Sequence, residues 1–355
     1  MIEDYRSIID RIDKEILELL NKRASLVIEI GKEKLKDNKP FIDMVREEIH
    51  LRELLSSNSG PLSEDGVKSI FREIVSASRM LEGTLKVAFL GPEGTFTHLA
   101  ALKRFGRETF YIPARSIADV FSFVEKGEVT LGVVPIENST EGVVNYTLDM
   151  FMASSLSITG EIIIPISHNL IAREDVKEIK RIYSHPQAFG QCKEYLEKNF
   201  PNADLIEAVS TAKAVEIASR DNESAAIGSE IAAEKFGLRV IFFKIEDDPN
   251  NRTRFLIIGK NDKGGRSGKD KTMVMFSTAH KPGSLYNALR CFAEHNVNLT
   301  MIQSRPSREA LWEFVFFAEF QGHREDENVK RALESLSEVV WSYRIIGSYP
   351  EDELL

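Results

Sequence analysis

Three cations stand where core side chains belong. The apolar steps Ile9, Ile12, Ile16 and Leu19 lead to Arg23, Val27 and Ile30 lead on to Lys34, and one turn before Ile9 the stripe meets Arg6. A second stripe, Val67, Ile70, Phe71, Ile74 and Val75, runs into Ser78 and Glu82, while Asp43, Arg46 and Glu47 share one side of a third segment. Unpaired cations in an apolar seam cost several kcal/mol each. Two readings follow: ion pairs within the chain or solvent exposure at helix ends, or an anion-binding pocket inside a helical bundle.

A second polar set falls at strand ends. Gly91-Pro92-Glu93-Gly94-Thr95-Phe96-Thr97-His98 follows a strand and opens a helix, where free N–H groups can hold an anion or a Gly-Pro turn can simply end the strand. Pro135-Ile136-Glu137-Asn138-Ser139 and Ser184-His185-Pro186-Gln187 follow other strands, and Ser210-Thr211 precedes a helix. Strand-end Asn, Ser and Thr are mostly turn and cap residues, and His185 before Pro186 reads equally as a turn histidine. Asn250-Asn251-Arg252-Thr253-Arg254-Phe255 is more specific, because it brings a hydroxyl and a guanidinium to the mouth of an apolar strand.

The elements that position these groups fall into three segments. Residues 1–83 read as all-helical: one helix over Ile8 to Lys34, a break at Pro40, a second helix from about Asp43 to Leu55 and a third from Ser63 to about Leu81. The first is too long to be covered by the other two, so two copies are expected to pack along it. Residues 86–260 alternate strands and helices, an α/β pattern that suits two lobes with a binding cleft between them. Crossings are expected near Ile162–Ile166 and Val240–Ile245. Lys260 to Lys271 reads as a flexible linker, and residues 272–355 follow the βαββαβ order of a ferredoxin-like α+β domain.

Composition fits a multidomain chain of this kind. Its 355 residues suit two to three domains, and 46 Lys and Arg against 55 Asp and Glu argue against a surface built to grip nucleic acid. The two cysteines lie far apart without a CxxC or His-rich partner, so neither a disulfide framework nor a zinc site is expected. The acidic N-terminus and the absence of a long apolar run predict no export signal and no membrane span, hence a cytoplasmic setting.

Arg6, Asp13, Arg23, Gly31-Lys32-Glu33-Lys34, Pro40, Asp43, Arg46-Glu47, Ser78 and Glu82 together resemble the all-helical chorismate mutase family. The resemblance implies an interlocked dimer that rearranges chorismate to prephenate. Arg23 and Arg46, with Arg6 of the partner chain, would bind the substrate carboxylates; Lys34 would donate to the ether oxygen; Asp43 and Glu47 would orient the ring hydroxyl; Ser78 would assist a carboxylate. Glu82 stands where many bacterial members carry Gln. A carboxylate cannot donate, so Glu82 is expected to work protonated, with mutase activity falling at alkaline pH.

Residues 86–260 resemble prephenate dehydratase through the strand-end motifs taken jointly, with Phe236-Gly237-Leu238, Asp247 and Thr253-Arg254-Phe255-Leu256 at that family's spacing. A two-lobed, periplasmic-binding-protein-like fold is implied. Thr253 would assist the leaving hydroxide, and Thr95, Phe96, Glu137, Asn138, Ser139, His185, Gln187, Ser210, Thr211, Arg254 and Phe255 would line the prephenate site.

Residues 272–355 resemble an ACT domain at Pro282-Gly283-Ser284-Leu285-Tyr286, Asn298-Leu299-Thr300 and Ser304-Arg305-Pro306. Gly283, Ser284, Leu285, Asn298, Leu299, Gln303 and Ser304 would receive L-phenylalanine as an inhibitor, although Gln303 stands for the usual Glu and Met301 for a basic residue. The joint implication is a homodimeric or homotetrameric bifunctional enzyme of phenylalanine biosynthesis, free of metal and cofactor. Three alternatives stay open: a dehydratase that prefers arogenate, a noncatalytic amino-acid-binding regulator built from a helical dimeriser, a two-lobed binding domain and a sensor, and a C-terminal domain that only dimerises.

Overall fold

Helix α1 (Ile2–Lys36) carries Glu3 and Asp4 in its first turn and Lys34 and Lys36 in its last, each opposite in sign to the helix-dipole pole it faces. Asp43 caps α2 (Met44–Ser57) by accepting from Arg46 N, and Ser63 caps α3 (Glu64–Glu82) by accepting from Gly66 N. The computed structural model describes residues 1–37, 42–260, 264–307 and 313–352. Pro40, the expected breaker after α1, lies outside the described residues. At 1.5 Å per residue α1 reaches about 52 Å and α3 about 28 Å. Ile9, Ile12, Ile16 and Leu19 accordingly remain exposed, Leu19 at 66%. The helical unit comprises Met1–Lys86 with Leu102–Phe110.

Among the described residues, the second unit, Val87–Ala101 with Tyr111–Leu355, holds three sheets. The first lobe runs through β1 (Lys86–Leu90), α4 (Phe96–Phe105), β2 (Phe110–Ala114), α5 (Ile117–Lys126), β3 (Leu131–Asn138), β4 (Gly142–Val143), α6 (Asn145–Ala153) and β5 (Ser157–Pro165). The chain then builds the second lobe from β6 (Asn169–Ala172), β7 (Arg181–Ser184), α7 (Pro186–Gln191), α8 (Lys193–Asn199), β8 (Asp204–Glu207), α9 (Thr211–Ala218), β9 (Ser224–Gly228), α10 (Glu230–Phe236) and β10 (Arg239–Phe242). It returns as β11 (Arg252–Gly259), which slots between β3 and β5, antiparallel to both, in the order β2-β1-β3-β11-β5. The second lobe, ordered β10-β6-β9-β7-β8, is thus an insertion within the first.

The two crossings touch where Ile166 N donates to Asn251 O at 3.0 Å. The expectation of a crossing near Val240–Ile245 is corrected here. Val240 belongs to edge strand β10, paired with β6, and the return falls between Ile245 and β11.

The C-terminal module is β12 (Asp270–Ser277), α11 (Ser284–Glu294), β13 (Leu299–Pro306), β14 (Phe314–Gln321), α12 (Glu327–Val339) and β15 (Ser342–Pro350), with sheet order β13-β14-β12-β15. Leu311, expected to begin β14, lies outside the described residues. One face of this sheet packs under α11 and α12, through Val274, Phe276, Phe292, Phe320 and Leu336. The other face shares one core with the first lobe: Met273, Met301, Phe317, Ile346 and Tyr349 meet Val134, Ile136, Leu256 and Ile258. At Gly347 the approach is so close that a Cβ would stand 2.2 Å from Ile158 O. The end of the expected linker is also corrected: Asp270 and Lys271 are buried strand residues, because Glu161 meets Lys271 Nζ at 3.0 Å.

Candidate active sites

In the helical unit, α1 and α3 come close at Gly31, where a Cβ would lie 3.2 Å from Glu82 Cα. One turn on, Lys34 Nζ donates to Glu82 Oε2 at 2.9 Å, with the two side chains 23% and 13% exposed. Arg23 donates to Ser78 Oγ, which in turn donates to Ile74 O at 2.6 Å. Thus Arg23, Lys34, Ser78 and Glu82 sit along a single α1–α3 seam. Asp43 and Arg46 are exposed beside the start of α2, and Asp43 is occupied as its cap. Glu47 is held by Arg79, a buried cation that the sequence reading passed over, with Arg104 3.7 Å away. Arg6 is exposed at the far end of α1, with Glu3 3.8 Å away.

In the two-lobed unit, the cross-strand pair Asn138 and Thr253 anchors the candidate site. Asn138 Oδ1 accepts from Thr140 N and Glu141 N at 3.0 Å each, which fixes the amide orientation. Its Nδ2 then faces Asn251 Oδ1 at 2.8 Å, Arg252 O at 3.0 Å and Thr253 Oγ1 at 2.8 Å. An amide nitrogen only donates, so Thr253 Oγ1 accepts and its proton is free to point elsewhere. Ser139 pins the neighbouring backbone: its Oγ accepts from Arg252 N at 2.9 Å.

The network continues into the crossing. Asn251 Nδ2 donates to Gln191 Oε1 at 3.1 Å, which also meets His168 Nε2 at 2.8 Å. That arrangement puts the proton on Nε2. Burial holds the His168 imidazole below its ordinary range, against the opposing pull of Gln191 and Glu246. Phe96 packs edge-on against His168 with centroids 5.4 Å apart. Sequence reasoning missed Gln191 and His168. The signal available was a lone histidine between two apolar strands.

The remaining predicted residues serve as caps. Thr95 Oγ1 donates to Leu90 O at 3.2 Å and accepts from His98 N at 3.4 Å; His185 Nδ1 accepts from Gln187 N at 3.3 Å; Ser210 caps α9, of which Thr211 is the first residue. Gly94, at φ +90°, passes close to Ala232, and Ser229 Oγ donates to its carbonyl at 2.6 Å, so this loop fastens one lobe to the other. His98 supports it, accepting from Gly94 N at 3.1 Å while stacked on Phe89, and burial lowers its imidazole below the usual range.

Arg254 is corrected. Successive strand residues face opposite ways, so Arg254 leaves Thr253 and the cleft behind and turns toward the C-terminal sheet. Its guanidinium pairs with Glu319, with Glu161 at 2.7 Å, and with Glu137 at 3.6 Å. Tyr349 Oη donates to Glu319 Oε2 at 2.7 Å and Thr300 Oγ1 to Oε1 at 2.8 Å. Burial pushes the Glu319 carboxyl up, but Arg254, Tyr349 and Lys271 outweigh it and leave Glu319 below the ordinary carboxylate range. Burial and the same carboxylate push the Tyr349 phenol well above its usual value. Phe255 is likewise corrected from a cleft residue to a core one, because its ring is 2% exposed.

In the C-terminal module Gly283 takes φ +83° to open α11, with no neighbour near a would-be Cβ among the described residues. Ser284 begins that helix, and Leu285 and Leu299 pack partly against the module's core. Asn298 donates to Gln321 Oε1 at 3.1 Å; Gln303 is half-buried and Ser304 exposed on β13. Met301 is buried in the core shared with the first lobe, and Arg305 forms a bidentate pair with Asp149 of α6 at 2.6 and 2.8 Å.

These sites sit on a chain with informative relatives. Residues 5–83 match the model for chorismate mutase type II, residues 87–263 that for prephenate dehydratase, and residues 272–338 that for the ACT domain. A bifunctional chorismate mutase/prephenate dehydratase of Aquifex aeolicus (strain VF5) is 45% identical over 355 residues, covering 99% of this chain and 98% of its own. A crystal structure of a prephenate dehydratase in complex with L-Phe from Arthrobacter aurescens matches with TM-score 0.70 and 35% identity, over 75% of this chain and 90% of that one. GqqA, described as a novel type of quorum quenching acylase, matches with TM-score 0.69 and 27% identity, over 75% and 98%. The chain belongs to the bifunctional chorismate mutase/prephenate dehydratase family. That membership makes it an enzyme and sets aside the noncatalytic-regulator alternative. Among the described residues no helix is long and apolar enough to cross a membrane.

Proposed function

We propose that the helical unit converts chorismate to prephenate at the α1–α3 seam and that the two-lobed unit converts prephenate to phenylpyruvate at Thr253. The first reaction is pericyclic. It needs a fixed positive field where charge develops on the ether oxygen and a shape that holds the reactive conformer. Arg23, Arg46 and a partner chain's copy of Arg6 supply carboxylate contacts, Lys34 and a protonated Glu82 face the ether oxygen, and Asp43, Glu47 and Ser78 complete the lining. The exposed apolar stripe of α1 supports a homodimer, which two such dimers could extend to a homotetramer.

In the second reaction the bond to the ring carboxylate breaks, its electron pair aromatises the ring, and the ring hydroxyl leaves as water after taking one proton. Thr253 directs that proton. A threonine hydroxyl is a weak acid, so it relays a proton drawn from solvent rather than storing one. The observation that carries this reading is the Asn138 amide, which makes Thr253 Oγ1 an acceptor and leaves its hydrogen for the substrate. Asn138, Ser139 and the capped loops at Thr95, His185 and Ser210 frame the site, while Glu137, the cross-strand partner of Arg254, is corrected from the cleft to the opposite face of β3.

L-Phe acts as inhibitor at the ACT domain, between Gly283–Leu285 and the strand from Asn298 to Ser304, in a cytoplasmic enzyme of phenylalanine biosynthesis. The test is to incubate purified protein with chorismate near neutral pH, without metal or nucleotide, and to follow phenylpyruvate after alkali. Its appearance supports both activities. Accumulated prephenate removes the role of Thr253, and faster turnover of arogenate than of prephenate moves the substrate to arogenate.

A further inference from the structure

We infer that Arg254 is a positioning residue for Thr253 and that its anchor, Glu319, belongs to the C-terminal module, so that the dehydratase site is completed across the seam between them. The inference rests on the reading of Thr253 given above. Four charges carry the argument. The first lobe contributes Arg254 and Glu161, the C-terminal module Glu319 and Lys271, and each cation reaches an anion of the other module: Arg254 to Glu319, and Lys271 to Glu161 at 3.0 Å. Both carboxylates are buried, Glu319 completely. Removing either partner while the seam stays closed would therefore leave its counterpart buried and unpaired.

The local backbone says why such an anchor matters. The pairing of β11 with β3 shifts register between Arg254 and Phe255, one residue past Thr253. A bulge loosens what the ladder alone dictates and re-aims the side chains beside it. At that shift the guanidinium of Arg254 is tied to a carboxylate whose own oxygens are held by Tyr349 and Thr300. The peptide that carries Thr253 thus takes its orientation from β14 of the C-terminal sheet as well as from β3 and β5.

The test is Glu319→Gln in the full chain, read by amide exchange and by steady-state kinetics. Exchange across Arg252–Gly259 should accelerate by about tenfold relative to the β6 and β9 amides of the second lobe. For prephenate, kcat should fall by about tenfold with KM within about twofold, and mutase kcat should not move. Tyr349→Phe, which keeps all four charges, should shift both readouts the same way by less. β11 exchange that rises no more than that of β6 and β9, or a dehydratase kcat that stays level or falls only in step with mutase kcat, overturns the inference. A wild-type chain inert toward prephenate defeats the functional reading instead, and the exchange contrast still decides whether Glu319 anchors β11.

Discussion

Asn138 Nδ2 stands 2.8 Å from Thr253 Oγ1, while Oδ1 of the same amide is claimed by two backbone N–H groups. The direction of the hydrogen bond to Thr253 is therefore set by the turn after β3, not by the threonine. Asn138→Asp keeps the acceptor for the turn and replaces the donor by an oxygen that captures the threonine's proton. Dehydratase kcat should fall by about a hundredfold while mutase turnover is retained. A variant within twofold of wild type would remove the hydroxyl from the mechanism.

Glu82 offers a test of donor capacity. Its carboxylate accepts from Lys34 at 2.9 Å, and a carboxylate cannot be a second donor. Glu82→Gln, whose amide donates, should keep or raise mutase kcat/KM, whereas Glu82→Ala should lower it by at least about tenfold. A Gln variant as impaired as the Ala variant counts against a donor role for this position.

Histidine 98 gives a stability test. Burial lowers its imidazole and Gly94 N–H donates to Nδ1, so the folded state favours the neutral ring. The unfolded chain protonates near pH ~6.5, which means the contribution is full above that value and is lost as pH falls through the lower folded one. The melting temperature should drop between about pH 7 and pH 5, and less steeply in His98→Asn, which keeps an acceptor without titrating. Equal slopes in the two proteins would exclude this source.

Gly347 tests the shared core. An alanine there would push its methyl onto Ile158 O, against backbone that has no flexible end to yield. Gly347→Ala should cost about 1–3 kcal/mol in the unfolding transition of the second unit, followed by circular dichroism. Full retention of the melting temperature would show that β5 and β15 can part at no cost.

Gly283 tests the effector site. Its φ of +83° strains a β-branched residue, although none of the described residues blocks the side chain. Gly283→Val should weaken L-Phe inhibition of dehydratase turnover by at least about tenfold with the uninhibited rate retained. Full inhibition at the original concentration would move the site elsewhere.

What the sequence made legible follows from range. Stripes repeat every three or four residues, so α1 and α3 and the cations on them could be read from neighbours alone, and strand-end motifs announced β3 and β11. Arg254 could not be read in this way. Which carboxylates it meets depends on Glu161 and Glu319, in strands distant along the chain, and on how one sheet packs over another. Lys271 misled for the same reason. Its neighbours Lys269 and Asp270 look like solvated linker until Glu161 arrives from 110 residues earlier. Arg79 was overlooked because it lies beside the apolar stripe of α3, where only the crossing of α2 reveals Glu47.

The insertion of the second lobe between β5 and β11 has a bearing on synthesis. A chain emerging from the ribosome delivers β1 to β5 first, but the sheet that holds Asn138 lacks the strand that joins β3 to β5 until the whole inserted lobe has followed. The second lobe can close on itself in the meantime, since β6 to β10 are contiguous in sequence. The first lobe must wait with β3 and β5 exposing unpaired edges toward each other. Nascent chains halted before Arg252 should therefore be those that most engage chaperones, and the strand bearing Thr253 is also the one whose arrival ends that dependence.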